Sequence, residues 1–144
     1  MRGWHWALAM MAVAVASMSV AGCAGMGPDM AGGPCLDDSK GCVEQRTAMV
    51  HGMAADKSHA WIGEPVSPAT AASGVRLFAY QNVKDKLNCN ELATGIKEME
   101  DARGSLSGGP IGGQTMERHN QILALTEDVR GQLQTLSNKR CGKA

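Results

Sequence analysis

Four soft side chains lie close together in the first half of the chain and could bind a metal. Met49, His51 and Met53 alternate along the sequence, and His59 follows. Thioether sulfur and imidazole nitrogen suit Cu(I). The i, i+2, i+4 spacing, however, does not place the first three on one face of a helix. The pattern therefore favours a helix with methionine in the core and histidine at the surface, and we expect no metal and no cofactor.

Motifs for catalysis or nucleic-acid binding are not evident. The glycine-rich stretch 108–113 lacks the lysine and the preceding strand that a phosphate-binding loop requires. No histidine sits in a recognisable set of nucleophile and base. The chain balances 14 basic against 14 acidic residues, whereas nucleic-acid binding needs a basic surface. We expect neither enzymatic activity nor a nucleic-acid partner.

The composition of the N-terminus predicts an export signal. Residues 6–20 are mostly Ala, Val, Met and Leu, and as a helix they would rise only about 23 Å. This is too short for a membrane core of about 30 Å, so a signal peptide over residues 1–22 fits better than a permanent membrane span. The run ends in Val20-Ala21-Gly22-Cys23.

This ending resembles the lipobox of bacterial lipoproteins, in which an apolar residue and two small residues precede a lipid-modified cysteine. The resemblance covers only the first 23 residues, and Val20 stands where leucine is commonest. It implies that the mature chain begins at acylated Cys23 and is held by membrane lipid. Ala24 takes the place of the Asp that retains such proteins in the inner membrane, which in a host with two membranes implies an outer-membrane lipoprotein facing the periplasm. Residues 23–34, rich in Gly and Pro, predict a flexible tether.

The four remaining cysteines predict two disulfides in one small domain, residues 35–144. Cys35 and Cys42 flank a polar, turn-rich hexapeptide and should form a local bond. Cys89 and Cys141 lie at the outer ends of two predicted helices. If those helices form an antiparallel hairpin, their open ends meet and the two cysteines can bond.

The two helices give the clearest pattern in the sequence. Apolar positions recur every three or four residues over about 86–107 and 115–138, with a Gly-Pro-Gly break between them. The sequence midpoint of the two cysteines is offset from that break by about 12 Å of helix. Either the second helix overhangs the turn, or residues 139–141 leave the helix and fold back. We therefore predict a mainly α fold: an antiparallel helical hairpin stapled by disulfides, with further segments packed on it.

The first half of the domain is less regular. Val43, Thr47, Val50 and Met53 predict a weak helix over 43–56, and residues 57–74, with two prolines, predict a loop. The β-branched and aromatic content of residues 75–80 predicts a strand or an extended segment lying on the helices.

Two further features have both a functional and a structural interpretation. Trp61, Phe78 and Tyr80 are the only aromatic residues after Cys23 and could form a partner-binding patch, although capping of the hairpin's apolar face is favoured. Arg103 interrupts the apolar stripe of the helix predicted over about 86–107. It could bind an anion there, but a structural ion pair with Glu127 is favoured.

These observations favour a membrane-anchored envelope lipoprotein with a structural or protein-interaction role. A small-ligand or metal-binding lipoprotein is the alternative. The membrane is contacted through lipid on Cys23, and an envelope protein is the expected partner.

Overall fold

The computed structural model describes residues 34–142, and all regular structure in this range is helical. The mainly α fold stapled by disulfides is therefore confirmed. The helices are α1 (Lys40–Ala55), α2 (Pro68–Ser73), α3 (Val75–Val83), α4 (Cys89–Leu106) and α5 (Met116–Cys141), with a 3₁₀ turn at Lys84–Lys86. The predicted signal peptide, Cys23 and tether residues 23–33 lie outside the described residues.

Helices α4 and α5 form the predicted antiparallel hairpin. The apolar stripes of both helices are buried at their shared seam, with Ile96 and Leu136 at its partly covered edges; the fully buried members are Leu92, Met99, Leu106, Ile122, Val129 and Leu133. The start of α4 is bonded to the end of α5 through Cys89 and Cys141, whose Cα atoms are 5.7 Å apart. The apolar positions that recur every three or four residues in both α4 and α5 are thus the local cause of the hairpin.

The offset between the hairpin turn and the disulfide is absorbed by an overhang of α5. This helix has 26 residues against 18 in α4 and remains helical through Cys141. The overhanging end lies near α2, since Arg118 in the first turn of α5 donates to the Ser73 carbonyl oxygen at 3.2 Å. Gln114, two residues before α5, donates its amide to the Ala72 carbonyl oxygen at 2.9 Å. The fold-back of residues 139–141 does not occur.

The prediction of a strand or extended segment over residues 75–80 is wrong, because this stretch forms the first two thirds of α3. Gly74, at φ 77°, ends α2 and leads directly into α3. Residues with high strand propensity are enriched here because residues 75–80 are all buried except Phe78. Part of the predicted loop 57–74 is also helical: Ser67 caps α2, and Pro68 occupies its first position, where its missing N–H costs nothing.

A buried polar cluster joins the loop after α1 to α3 and α4. The Arg76 guanidinium donates through Nε and Nη2 to both carboxylate oxygens of Glu98 at 2.6 Å, and through Nη1 to the Trp61 carbonyl oxygen. Tyr80 donates its hydroxyl to Glu98 at 2.9 Å. Burial and the Glu98 carboxylate raise the pKa of the Tyr80 hydroxyl, so it remains a donor. The cluster fixes α3 against α4.

Candidate functional site

A groove lies between α1 and α3 and ends at the first turns of α5. Its volume is about 280 Å³, close to the lower limit of about 300 Å³ for small-molecule clefts. Apolar and cationic side chains share its lining, and no Asp or Glu belongs to it; the lining residues are Val43, Arg46, Thr47, Val50, His51, Ser73, Val75, Phe78, Asn82 and Arg118.

The α1 wall of the groove is the uncovered half of the stripe predicted for this helix. The C-terminal end of the stripe, at Met53, packs against the hydrophobic core. The N-terminal part, Val43, Thr47 and Val50, faces the groove instead. Val43 is 42 % exposed as a result. Helix α1 therefore presents an apolar face that no other described element fully covers.

The opposite wall comes from α3. Val75 is fully buried at the groove, whereas Phe78 is 38 % exposed. Within residues 34–142, the exposed large hydrophobic side chains are Val43, Phe78 and Met116. Two of these three, Val43 and Phe78, line one groove. Exposed apolar side chains grouped in one place mark interaction surfaces more often than scattered ones do.

One end of the groove is closed by Arg46, which also organises the start of α1. Its Nη1 donates to the carbonyl oxygens of Cys35 at 3.1 Å and Asp37 at 2.6 Å. Its Nη2 donates to the Asp38 carboxylate at 3.3 Å. These bonds hold the small loop that the predicted Cys35–Cys42 disulfide closes, and that disulfide is confirmed.

A second guanidinium reaches the same end of the groove from α5. Arg118 Nη1 lies 3.7 Å from the carboxylate of Asp38, which Arg46 also contacts. Burial, and then the positive charge of Arg46, lower the pKa of Arg118. The Arg118 side chain is 20 % exposed, so it remains partly accessible from solvent.

The three aromatic residues do not form a common surface patch. Trp61 and Tyr80 are buried and pack edge to face, with ring centroids 4.9 Å apart. The Trp61 indole donates to the Met53 carbonyl oxygen at 3.0 Å. These two rings belong to the core, because little else in the chain is large enough to fill it. Only Phe78 remains accessible to a partner.

The methionine and histidine residues considered for metal binding are dispersed. His51 is exposed and lines the groove, Met49 is half-buried and Met53 packs on the core. His59 Nδ1 lies 3.0 Å from a carboxylate oxygen of Glu91, at the start of α4. Among residues 34–142, no three His, Cys, Asp or Glu side chains converge as metal ligands.

Arg103 has the structural partner that was expected from the hairpin. Its Nε lies 2.8 Å from a carboxylate oxygen of Glu127 across the α4–α5 seam. Both side chains are well exposed, at 67 % and 41 %. An exposed pair of this kind stabilises the fold by at most about 1 kcal/mol.

A second cleft, of about 270 Å³, lies between the loop after Gly63 and α4. Three of its four charged residues are paired, since Lys97 bonds to Asp101 at 2.6 Å and Glu98 belongs to the buried cluster with Arg76. The fourth, Glu64, is exposed. The exposed large hydrophobic side chains of residues 34–142 do not line this cleft, whereas two of them line the groove between α1 and α3.

The arginines of the groove were not identified from the sequence. Arg46 and Arg118 are 72 positions apart and meet only because the overhang of α5 brings its first turns to α1. The buried pair of Arg76 and Glu98 does have a signal in the sequence. Arg76 is the one charged residue in the apolar run 75–80, and a buried charge requires a buried counter-charge.

Comparison with known proteins supplies no family, because no protein-family model, curated protein or solved structure matches this chain. None of the helices in the described part of the chain has the length and apolarity needed to cross a membrane.

Proposed function

We propose that this protein is a lipid-anchored lipoprotein of the cell envelope, and that its helical domain binds a partner protein through the groove between α1 and α3. The observation that carries the interaction role is the pair of exposed apolar side chains, Val43 and Phe78, on opposite walls of one groove. Covering apolar surface contributes about 25 cal/mol per Å², so a partner's apolar side chain would be held there.

The anchor is proposed from the Val20-Ala21-Gly22-Cys23 motif. Eleven residues, 24–34, separate the acylated cysteine from Cys35. A glycine-rich coil of this length spans about 18 Å on average. The domain would therefore remain near the membrane surface, where its partner would be another envelope protein.

Photo-crosslinking in native membranes tests the proposed role. Phe78 is replaced by benzoylphenylalanine in the full-length protein, and the control carries the same residue in place of Ala124, which is exposed on α5 away from the groove. We expect a discrete protein adduct from position 78 that the control does not give. A position-78 adduct with a lipid or a small molecule alone would favour the ligand-binding alternative, and absence of any adduct would contradict the interaction role.

A matched pair of substitutions on α1 gives a second test. Val43→Asp places a charge on the groove wall, whereas Ala48→Asp places one on an exposed part of the same helix that does not line the groove. Because covering a carboxylate with a partner's apolar side chain costs free energy, the first substitution should reduce the position-78 adduct strongly and the second should leave it unchanged.

A further inference from the structure

Two guanidinium groups at one end of the groove contact the same carboxylate, that of Asp38. Asp38 Oδ1 lies 3.3 Å from Arg46 Nη2 and 3.7 Å from Arg118 Nη1. Asp38 is itself about half exposed, so solvent weakens its field. The carboxylate of neighbouring Asp37 accepts a hydrogen bond from the Ser39 backbone N–H at 2.8 Å. Hydrogen bonds from Ser39, and to a smaller extent the charge of Arg46, lower the pKa of Asp37, so this carboxylate also lies near the guanidinium groups. Both acids are exposed and neither lines the groove, whose lining at this end holds the two guanidinium groups and no acid.

The two arginines differ in how many hydrogen bonds their guanidinium N–H groups already donate. Arg46 is 6 % exposed and donates to two backbone carbonyl oxygens and to Asp38. Arg118 makes one backbone bond, from Nη2 to the Ser73 carbonyl oxygen at 3.2 Å. Its buried Nε has no hydrogen-bond partner among residues 34–142. Arg118 thus has fewer of its N–H groups engaged than Arg46 has, and its side chain is 20 % exposed, so it is the group that can donate to a further acceptor.

The lowered pKa of Arg118 agrees with this geometry. Burial and the like charge of Arg46 lower it more than the Asp38 carboxylate raises it. An additional anion would relieve both effects, and a carboxylate suits a guanidinium because it can accept two parallel N–H bonds.

We propose that the partner segment received by the groove bears a carboxylate beside its apolar side chain, and that Arg118 binds this carboxylate. This inference rests on the proposed function, since it names the chemistry of the partner at the same groove. The apolar side chain lies between Val43 and Phe78, and the carboxylate lies at the α5 end, where the lining carries positive charge and no acid. Arg46 positions the loop and Asp38 and does not select the partner.

The test uses the benzophenone at position 78 in three arginine variants of the full-length, membrane-anchored protein. Arg118→Lys retains the positive charge, and Arg118→Gln removes it while keeping an N–H donor for the Ser73 carbonyl oxygen. Arg103→Gln is the control, because Arg103 is exposed and pairs with Glu127 outside the groove. Thermal unfolding and non-reduced peptide mapping of each variant establish that the fold and both disulfides are retained.

We expect the adduct yield at limiting partner to fall about tenfold or more in Arg118→Gln, which matches the loss of one charge-assisted hydrogen bond. Arg118→Lys should retain most of the yield, and Arg103→Gln should equal the parent. Peptide mapping of the adduct should place the crosslink within a few residues of an Asp, a Glu or a free C-terminus of the partner.

The outcomes separate this inference from the proposed function. An unchanged adduct in Arg118→Gln, or a crosslinked segment with no carboxylate near it, would overturn the role of Arg118 while leaving the groove as the docking site. If the parent gives no protein adduct at position 78, the proposed function fails first and the inference fails with it.

Discussion

Two glycines of the same helix should respond in opposite directions to substitution by alanine. Gly95 is buried in α4, and a Cβ added there would lie 2.7 Å from Cε1 of Tyr80 and 3.0 Å from Cδ1 of Leu133. Carbon atoms in contact normally lie about 3.5–4.0 Å apart. Neither neighbour can move freely, since both are fully buried and Tyr80 is tied to Glu98. Gly104, also in α4, has no atom within 4 Å of the added Cβ.

The expected magnitudes follow from two opposing terms. Alanine gains about 0.5–1 kcal/mol over glycine inside a helix, and overpacking a core costs about 1–3 kcal/mol. Gly104→Ala has only the gain and should raise the free energy of unfolding by about 0.5–1 kcal/mol. Gly95→Ala has both terms and should lower it by about 1 kcal/mol. At about 4 °C per kcal/mol for a domain of this size, the two midpoints should differ by about 6–8 °C.

Thermal unfolding followed by circular dichroism at the helix band measures the difference, and urea unfolding gives the free energies. If Gly95→Ala stabilised the domain as much as Gly104→Ala does, α4 would not approach α3 and α5 closely at this position, and the reasoning about their packing would be refuted.

Three further predictions concern the buried cluster, the disulfides and pH. Glu98→Gln should lower the free energy of unfolding by about 3 kcal/mol, because it leaves the buried Arg76 charge unpaired. A decrease of less than about 1 kcal/mol, measured by urea unfolding, would contradict this prediction. Cys141→Ser should lower the thermal midpoint more than Cys42→Ser does. The Cys89–Cys141 disulfide spans 52 positions and the Cys35–Cys42 disulfide spans 7, so loop entropy makes them worth about 4 and about 2 kcal/mol respectively. Equal midpoints would show that the hairpin is not the unit that holds the domain together. Hydrogen bonds from Ser58 and Ala60 lower the pKa of Asp56, so its contribution to stability is present above its ordinary pKa and is lost as pH falls through the lowered one. Asp56→Ala should therefore lose less stability than the parent between about pH 5 and pH 2, and identical acid transitions would be evidence against this role.

The hairpin could be predicted from the sequence because its determinants are local and repeated. The stripes in α4 and α5 run over five turns or more, and one cysteine marks each open end. The boundaries were also set locally. Asn88 and Glu91 form a capping box that starts α4 at Cys89, three residues later than the periodicity suggested.

Helix α3 could not be predicted because its residue types reflect burial in the core and not a preference for the helix. Val75, Leu77 and Tyr80 would suit a strand, and the helical state wins only once α1, α4 and α5 enclose them. The groove has the same origin. Val43 and Val50 were recognised as one helical face, but which part of that face stays uncovered depends on where α3 and the α5 overhang lie.

Acylation of Cys23 is the basis of both the proposed anchor and the proposed envelope partner. Mass spectrometry of the protein purified from native membranes measures this directly. We expect a mature chain that begins at Cys23 with the added mass of acyl chains, and we expect Cys23→Ser to leave the precursor uncleaved or to release the protein from the membrane. A mature chain that begins at another residue, or that carries an unmodified Cys23 thiol, would rule out the lipid anchor.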